Sequence, residues 1–399
     1  MQIYAEEPAK ELGAKTLLYI TQDFPPGFGG INTYSAELCV RFAEYFGRLT
    51  VVAPYQPGCE AWDEMQPYNV VRIKCKSAFL GWVVKSRIPK LLEEVQPDIL
   101  FHAQWTSLAA AKKARKSGFK GSVVCAAHAR ELLREPGLPF PLPQLFRAYR
   151  QEYMQLPDLW LPVSHFADQL LEALGIAAAN RQIVHNGTDP FHFRDDDDAQ
   201  TRAETRRSLG LKAEDFVLVT TARIVARKGI DTVIEALKRL FPEHPLLRYV
   251  VIGTGDQREN LAQKAKEAGL GAIVQFIENV SHEQLPHIYQ AADLFVMVPK
   301  TIPPDVEGFG LVYLEANACG LPVIGSTSGG VPDAIAHDET GLLVSEQNPA
   351  ELASAIEYLI KDPGKRKLYG EKGRARVLEK LNWDDVSQQM LGLFQEIQK

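Results

Sequence analysis

The sequence predicts an α/β fold made of two parallel-sheet domains, and three observations carry that reading. Short apolar runs bounded by turn-formers alternate along the whole chain with longer stretches of helical apolar spacing. The connections between them are short, so parallel strands covered by helices on both faces are the expected packing. The chain has 399 residues, more than the roughly 100–200 of a single domain. Asn186-Gly187 is a turn pair and Asp189 precedes a proline, which together place a domain boundary there. Residues 1–190 then form one domain and 191–383 the other.

In the first half, Lys15–Ile20 reads as the opening strand. The loop after it, Thr21 to Gly30, holds two prolines and three glycines, and helical spacing runs from Ile31 to Tyr45. The pair Gly29-Gly30 at a helix start permits close approach of a phosphate or sugar. It is not the spaced GxGxxG of a dinucleotide binder. Leu49–Ala53 and Val70–Ile73 are strands separated by a turn-rich stretch. Gly81–Val95 is helical, Asp98–His102 a strand, Thr106–Ser117 helical, and Ser122–Ala127 a strand ending at His128. A histidine there lies at the carboxyl end of a parallel strand, the edge where open α/β sheets bind ligands. Glu135–Gln144, with four prolines and a glycine, reads as a loop. Asp158–Val163 is a strand, and Ser164 caps the helix that follows.

The second half opens with an acidic connector around Asp195–Asp198 and a short helix, Arg202–Leu209. Strands follow at Phe216–Thr221, Arg248–Gly253, Val274–Ile277, Ala292–Val298, Leu321–Gly325 and Thr340–Val344. Helices are expected at Asp231–Phe241, Leu285–Ala291, Pro349–Ile360 and Trp383–Ile397. The loop after Thr221 carries Arg223, Arg227 and Lys228, and cations between a strand end and a helix suit a diphosphate. The stretch Val306-Glu-Gly-Phe-Gly-Leu-Val-Tyr-Leu-Glu-Ala316 is the most informative. Gly308 and Gly310 lie where strand passes to helix, and the N–H groups of Phe309, Gly310 and Leu311 form an anion site at the helix start. Glu307 and Glu315 would repel a phosphate unless turned to neutral hydroxyls on either side of it. A diphosphate between two sugars fits; an ordinary strand–loop–helix junction with two surface acids fits as well.

Composition narrows the classes. The chain is 46% hydrophobic and 24% charged, with five cysteines lacking paired metal spacing, which speaks for a reducing compartment and against structural zinc. The acidic start is no signal peptide, and no apolar run is long enough to span a bilayer. Net charge is −6, yet Lys74 to Lys120 holds ten basic residues and three acids, a local +7 that can attract an anionic membrane or acceptor. A solvated face of two helices explains it equally. Nucleic acid is disfavoured, since the basic run lacks aromatic interleaving and the total charge is negative.

The Glu307-to-Glu315 segment resembles the Glu-x7-Glu motif of family 4 retaining nucleotide-sugar glycosyltransferases. Gly29-Gly30, His128, Arg223 with Lys228, and Ser328-Gly-Gly-Val-Pro332 appear in that family's order and spacing, from about Thr16 to the end. The resemblance implies the GT-B architecture: two Rossmann-like domains facing across a cleft, with the terminal helix at 384–399 crossing back to the first. It implies transfer of a hexose with retention of configuration, without metal. Arg223 and Lys228 would hold the diphosphate with Phe309–Leu311, Gly29 and Gly30 would face the phosphate and sugar, and Glu315 the ribose. Glu307 and His128 would hold the sugar, and Glu278 and Val280 flank the base. Glu278 and Ala222 stand where relatives often have glycine. The segment looks most like users of GDP-mannose; UDP-glucose or UDP-N-acetylglucosamine enzymes differ little. The acceptor would be a glycan or lipid-linked glycan, reached through the Glu135–Gln144 loop, and the protein cytoplasmic with peripheral membrane contact. A nucleotide-sugar epimerase and a non-catalytic nucleotide-sugar binder share the form. The epimerase would need no acceptor loop, and the binder should lack one of His128, Lys228 or Glu307.

Overall fold

The computed structural model describes residues 12–133, 142–194 and 198–398, with backbone alone for 142–146. The chain divides into two compact units, Met1–Asn186 with Trp383–Lys399, and Gly187–Asn382. Each is built on a six-stranded parallel sheet.

In the first unit the strands are β1 (Thr16–Ile20), β2 (Arg48–Pro54), β3 (Asn69–Ile73), β4 (Ile99–His102), β5 (Ser122–Ala127) and β6 (Leu159–Pro162), in the order β3-β2-β1-β4-β5-β6. Alternate residues of β1 serve opposite faces. Leu18 and Ile20 join a core with Val84 and Ile88 of helix Leu80–Val95 and Leu108 of helix Leu108–Lys116. Tyr19 points the other way, stacked on Phe101 at 4.6 Å. On that face Phe42 of helix Gly30–Tyr45 meets Phe394 of the terminal helix Trp383–Glu396, ring centroids 5.5 Å apart. The last helix thus returns to the unit in which the chain begins.

In the second unit β7 (Phe216–Thr221), β8 (Leu247–Ile252), β9 (Val274–Ile277), β10 (Leu294–Val296), β11 (Val323–Ser326) and β12 (Gly341–Val344) run in the order β12-β11-β10-β7-β8-β9. Leu294 and Val296 face a core with helices Ile230–Leu240 and Pro349–Lys361. Phe295 faces the opposite side, where Tyr313 of helix Leu311–Ala318 packs edge-on at 5.5 Å and donates its hydroxyl to the Met297 carbonyl at 2.6 Å. The helix of the Glu-x7-Glu segment is therefore fixed to the strand before it.

Differences from the sequence expectation have local causes. The turn-rich stretch after β2 contains a short helix, Cys59–Glu64. Of the expected Glu135–Gln144 loop, 134–141 lies outside the described residues. Residues 142–144 instead begin helix Leu142–Met154, whose second residue is Pro143. Proline is tolerated there because the first-turn N–H groups have no helical partner. Helices Arg258–Glu267 and Pro363–Lys380 were also not anticipated. The second carries three glycines, which weaken the helical signal. Its start was legible all the same: Asp362 accepts from the Lys365 amide at 2.8 Å and Pro363 is the first helical residue. Of the acidic connector, 195–197 lies outside the described residues, and Asp198 caps helix Ala199–Ser208.

Candidate active site

The second sheet changes winding direction between β7 and β10, the point at which open α/β sheets bind ligands beyond their carboxyl ends. Lys228 follows β7 and Glu307 follows β10. They meet there: the Glu307 Oε2 atom accepts from Lys228 Nζ at 2.6 Å and from Arg227 Nη1 at 2.6 Å, all three side chains being nearly buried. Burial alone would raise the Glu307 carboxyl, but the two cations outweigh it and hold it at about 2. Burial lowers the Lys228 ammonium, against the pull of Glu307.

Backbone geometry brings these loops together. Ala226–Lys228 forms a single 3-10 turn ended by Gly229 at φ +70°, where a Cβ would sit 1.8 Å from the Val298 carbonyl oxygen. Only glycine closes that gap. Gly310 precedes helix Leu311–Ala318 at φ +97°. Gly308, expected to share that role, is not left-handed. The Tyr313 amide bonds back to the Gly310 carbonyl, and the Leu311 and Val312 N–H groups at the helix start have no helical partner. The Glu307 carbonyl accepts the Gly330 amide at 2.9 Å, anchoring the segment on the Ser328–Gly330 loop.

Arg223 differs from its neighbours. It is exposed and, among the described residues, makes no ion pair, while adding to the positive field at Lys228. Glu315 makes no ion pair among the described residues and accepts from the Tyr289 hydroxyl at 2.9 Å. Burial raises its carboxyl to about 7. Glu278 lies at the end of β9, 2.9 Å from Arg258 Nε, and Val280 is half-buried two residues on, after Asn279 at φ +57°.

In the first unit the corresponding change of winding lies between β1 and β4. The loops after those strands are tied by Gln104 Nε2 donating to Asp23 at 2.7 Å and Thr106 Oγ1 to Gln22 at 2.8 Å. His128 joins this edge through Nε2, 3.1 Å from the Ala103 carbonyl. A carbonyl only accepts, so Nε2 carries the proton and Nδ1 remains an acceptor. Burial lowers the ring to about 4, keeping it neutral. Its amide donates to Glu131 at 2.6 Å, and Ala129 beside it is held at φ +75°, an unusual conformation for a residue with a Cβ. Gly29, at φ +149°, precedes helix Gly30–Tyr45, so the Gly30 and Ile31 amides have no helical partner. His102 is structural: it is fully buried with Nδ1 on Ser107 at 2.7 Å.

Within the second unit the structure unites Lys228, Glu307 and the helix start at Leu311. Within the first it places His128 and Gly29-Gly30 on one sheet edge. Arg227, Tyr289 and Glu131 were missed. The sequence names Arg227 as a loop cation beside Lys228 but gives it no role of its own. On a 3-10 turn the two diverge by only a third of a circle, so both reach one carboxylate.

Comparison with known proteins follows the same division. Residues 28–191 match the family described as Glycosyltransferase Family 4, and 201–376 match Glycosyl transferases group 1. A GDP-mannose-dependent alpha-(1-6)-phosphatidylinositol monomannoside mannosyltransferase of Mycobacterium tuberculosis is 30% identical over 378 residues, covering 93% of this chain and 96% of that protein. A D-inositol 3-phosphate glycosyltransferase of Mycobacterium bovis is 32% identical, over 92% of this chain and 78% of its own. Among solved structures, Anabaena Alr3699/HepE in complex with UDP superposes with a TM-score of 0.79 at 20% identity, covering 96% of this chain and 100% of that one. The same protein with UDP-glucose gives 0.78 at 19% over 96% and 100%.

Proposed function

The chain belongs to the family 4, group 1 glycosyltransferases, enzymes that move a sugar from a nucleotide sugar to a glycan or lipid acceptor with retention, and from that premise we propose that its donor is GDP-mannose. Glu278 carries the reading. A carboxylate at the end of β9, half-exposed and paired on one side with Arg258, offers two acceptor oxygens. Guanine presents two adjacent donors, N1–H and the 2-amino group, which match such a carboxylate. Uracil presents one N–H between two carbonyls, which a carboxylate repels. The four mannosyltransferase relatives, matched over more than nine-tenths of the chain, support the same base and sugar. A second reading, UDP-glucose, is favoured by the UDP and UDP-glucose bound in the Anabaena structures, whose 19–20% identity speaks for the fold alone.

In this reading Arg223, Lys228 and the N–H groups at the helix start, Leu311 and Val312, hold the diphosphate and take up the charge that develops on it. Glu315 accepts from the ribose hydroxyls and Glu307 from hydroxyls of the transferred hexose, while the Nδ1 atom of His128 is the acceptor that the sheet edge of the first unit offers to a sugar hydroxyl. These cations and amides do the work a divalent ion would do, so none is needed. The test is release of nucleoside diphosphate from a panel of GDP, UDP and ADP sugars, run with and without chelator. GDP-mannose should turn over fastest, chelator should not matter, and Glu278→Ala should narrow the preference. Release from UDP sugars alone, or a rate restored only by magnesium or manganese, overturns the donor or the metal assignment respectively.

The acceptor edge is read from the segments after three neighbouring strands, β1, β2 and β3, including the first turn of helix Leu80–Val95. They expose Phe28 (99%), Tyr55, Phe79 (60%) and Trp82 (74%). Lys74 stands 5.5 Å from the Tyr55 ring and Lys85 5.8 Å from that of Trp82. Residues 65–92 hold six cations and no acid. Contrary to the sequence expectation, aromatic rings do stand among these cations, an arrangement that suits the interface of an anionic bilayer, where a lipid-linked acceptor would lie. Sedimentation with anionic but not neutral vesicles, weakened by salt and by Trp82→Ala with Phe79→Ala, is the expected result. Absent or salt-insensitive binding removes the proposal.

A further inference from the structure

Glu307 has two cationic partners where the donor chemistry just described asks one of them to leave. Lys228 can hold a diphosphate only by giving up some of its contact with Glu307, and a nearly buried carboxylate stripped of partners is strongly destabilised. Arg227 reaches the same oxygen at 2.6 Å. Its carbonyl is also fixed, accepting the Lys300 amide at 2.8 Å, so its backbone is braced on the loop that leads to Glu307. The charges fit: Arg223, Arg227 and Lys228 against Glu307 leave +2, equal and opposite to a nucleotide sugar's diphosphate.

We propose that Arg227 is a positioning residue that keeps Glu307 paired and in place while Lys228 turns to the diphosphate. It acts through Glu307 and touches no phosphate. The inference rests on the nucleotide-sugar reading above. It holds for either base.

The experiment is calorimetric binding of GDP and of UDP to the full chain. Compared are the parent, Arg227→Ala, Arg227→Met, Arg227→Lys, Glu307→Gln, and Arg227→Ala combined with Glu307→Gln, each first shown to melt cooperatively. Without Arg227, Glu307 competes with phosphate for Lys228, so Arg227→Ala and Arg227→Met should weaken binding about tenfold or more. Arg227→Lys should stay within about threefold of the parent. In the Glu307→Gln background the loss should vanish, the double variant binding like Glu307→Gln alone. A phosphate ligand or a purely structural arginine would not be rescued by neutralising Glu307. A loss that persists in the double variant, or parental affinity in Arg227→Ala, overturns the proposal. If the parent binds UDP and not GDP, the donor assignment falls and the same cycle is read with UDP. If it binds neither, both fall.

Discussion

Lys228 places its amino group in a nearly buried site whose carboxylate partner opposes the lowering that burial imposes, and Arg223 stands exposed five residues earlier. That pairing of a held cation with a free one suits an anion that arrives from solvent. Replacing either by alanine should lower turnover about 10²–10³-fold, the usual cost of one transition-state donor, with little change in melting for exposed Arg223. Near-parental rates for both would reduce the loop to a solvated surface. Glu315 gives a pH dependence. Burial lifts its carboxyl from 4.5 to about 7, and the Tyr289 hydroxyl offsets only part of the shift. The raised value means that the ligand-free fold favours the protonated form. Stability from this group is full below the ordinary value and is lost as pH rises through about 7, as it is for Glu131, also raised to about 7 by burial. A ribose diol needs the carboxylate, so donor KM should fall as pH rises through about 7, a range in which a diphosphate diester does not titrate. Glu315→Gln should flatten that dependence, and a flat profile in the parent would sink the ribose assignment. At this scale residue type was legible and pairing was not. Nothing in the spacing of Arg227, Lys228 and Glu307 shows that one oxygen takes two cations, because that depends on Gly229 bringing two loops within contact.

Among the elements, all twelve strands were legible because each is a short apolar run, and the central ones are buried on both faces. Periodicity identified the helices that rest an apolar stripe on a sheet, such as Ile230–Leu240 and Leu80–Val95. Two of those it missed are polar or glycine-bearing. Arg258–Glu267 buries only Leu261 and Ala265, and Pro363–Lys380 buries Gly370 and Gly373 beside Tyr369 and Val377. Pro363–Lys380 forms because helix Leu311–Ala318 is its neighbour: Arg374 donates to the Ala318 carbonyl, and Gly373 lies against Asn317. Tertiary packing selects it over its weak intrinsic propensity. The helix that carries Glu315 is thus clamped between Phe295 below and Pro363–Lys380 beside it, a rigid mount for a carboxylate that must stay placed.

For the whole molecule, the notable feature is that the chain leaves its first unit at Asn186 and re-enters it at Trp383, so helix Trp383–Glu396 shares a core with helix Gly30–Tyr45 and β4. Amphipathic spacing from Trp383 onward predicts a helix but cannot name the surface it covers; that came only from resemblance. The surface is aromatic: Phe394, fully buried, meets Phe42 at 5.5 Å, Phe101 at 6.0 Å and Phe46 at 6.3 Å. Polar ties lie around it, Arg41 to Asp384 at 2.5 Å and the Ser122 hydroxyl to the Ile397 carbonyl at 3.2 Å. The half-exposed ion pair contributes little, so the ring cluster should dominate. Removing a buried phenylalanine side chain costs about 3–5 kcal/mol. Phe394→Ala is therefore expected to destabilise the first unit by about that amount, and Asp384→Ala by under about 1 kcal/mol. Denaturant unfolding followed by hydrogen exchange on β1 and β7 separates the units. Amides of β1 should lose protection in Phe394→Ala while those of β7 keep theirs. Equal loss in both strands would mean that the two units unfold together, and no loss in β1 would mean that the terminal helix is an appendage on a self-sufficient sheet.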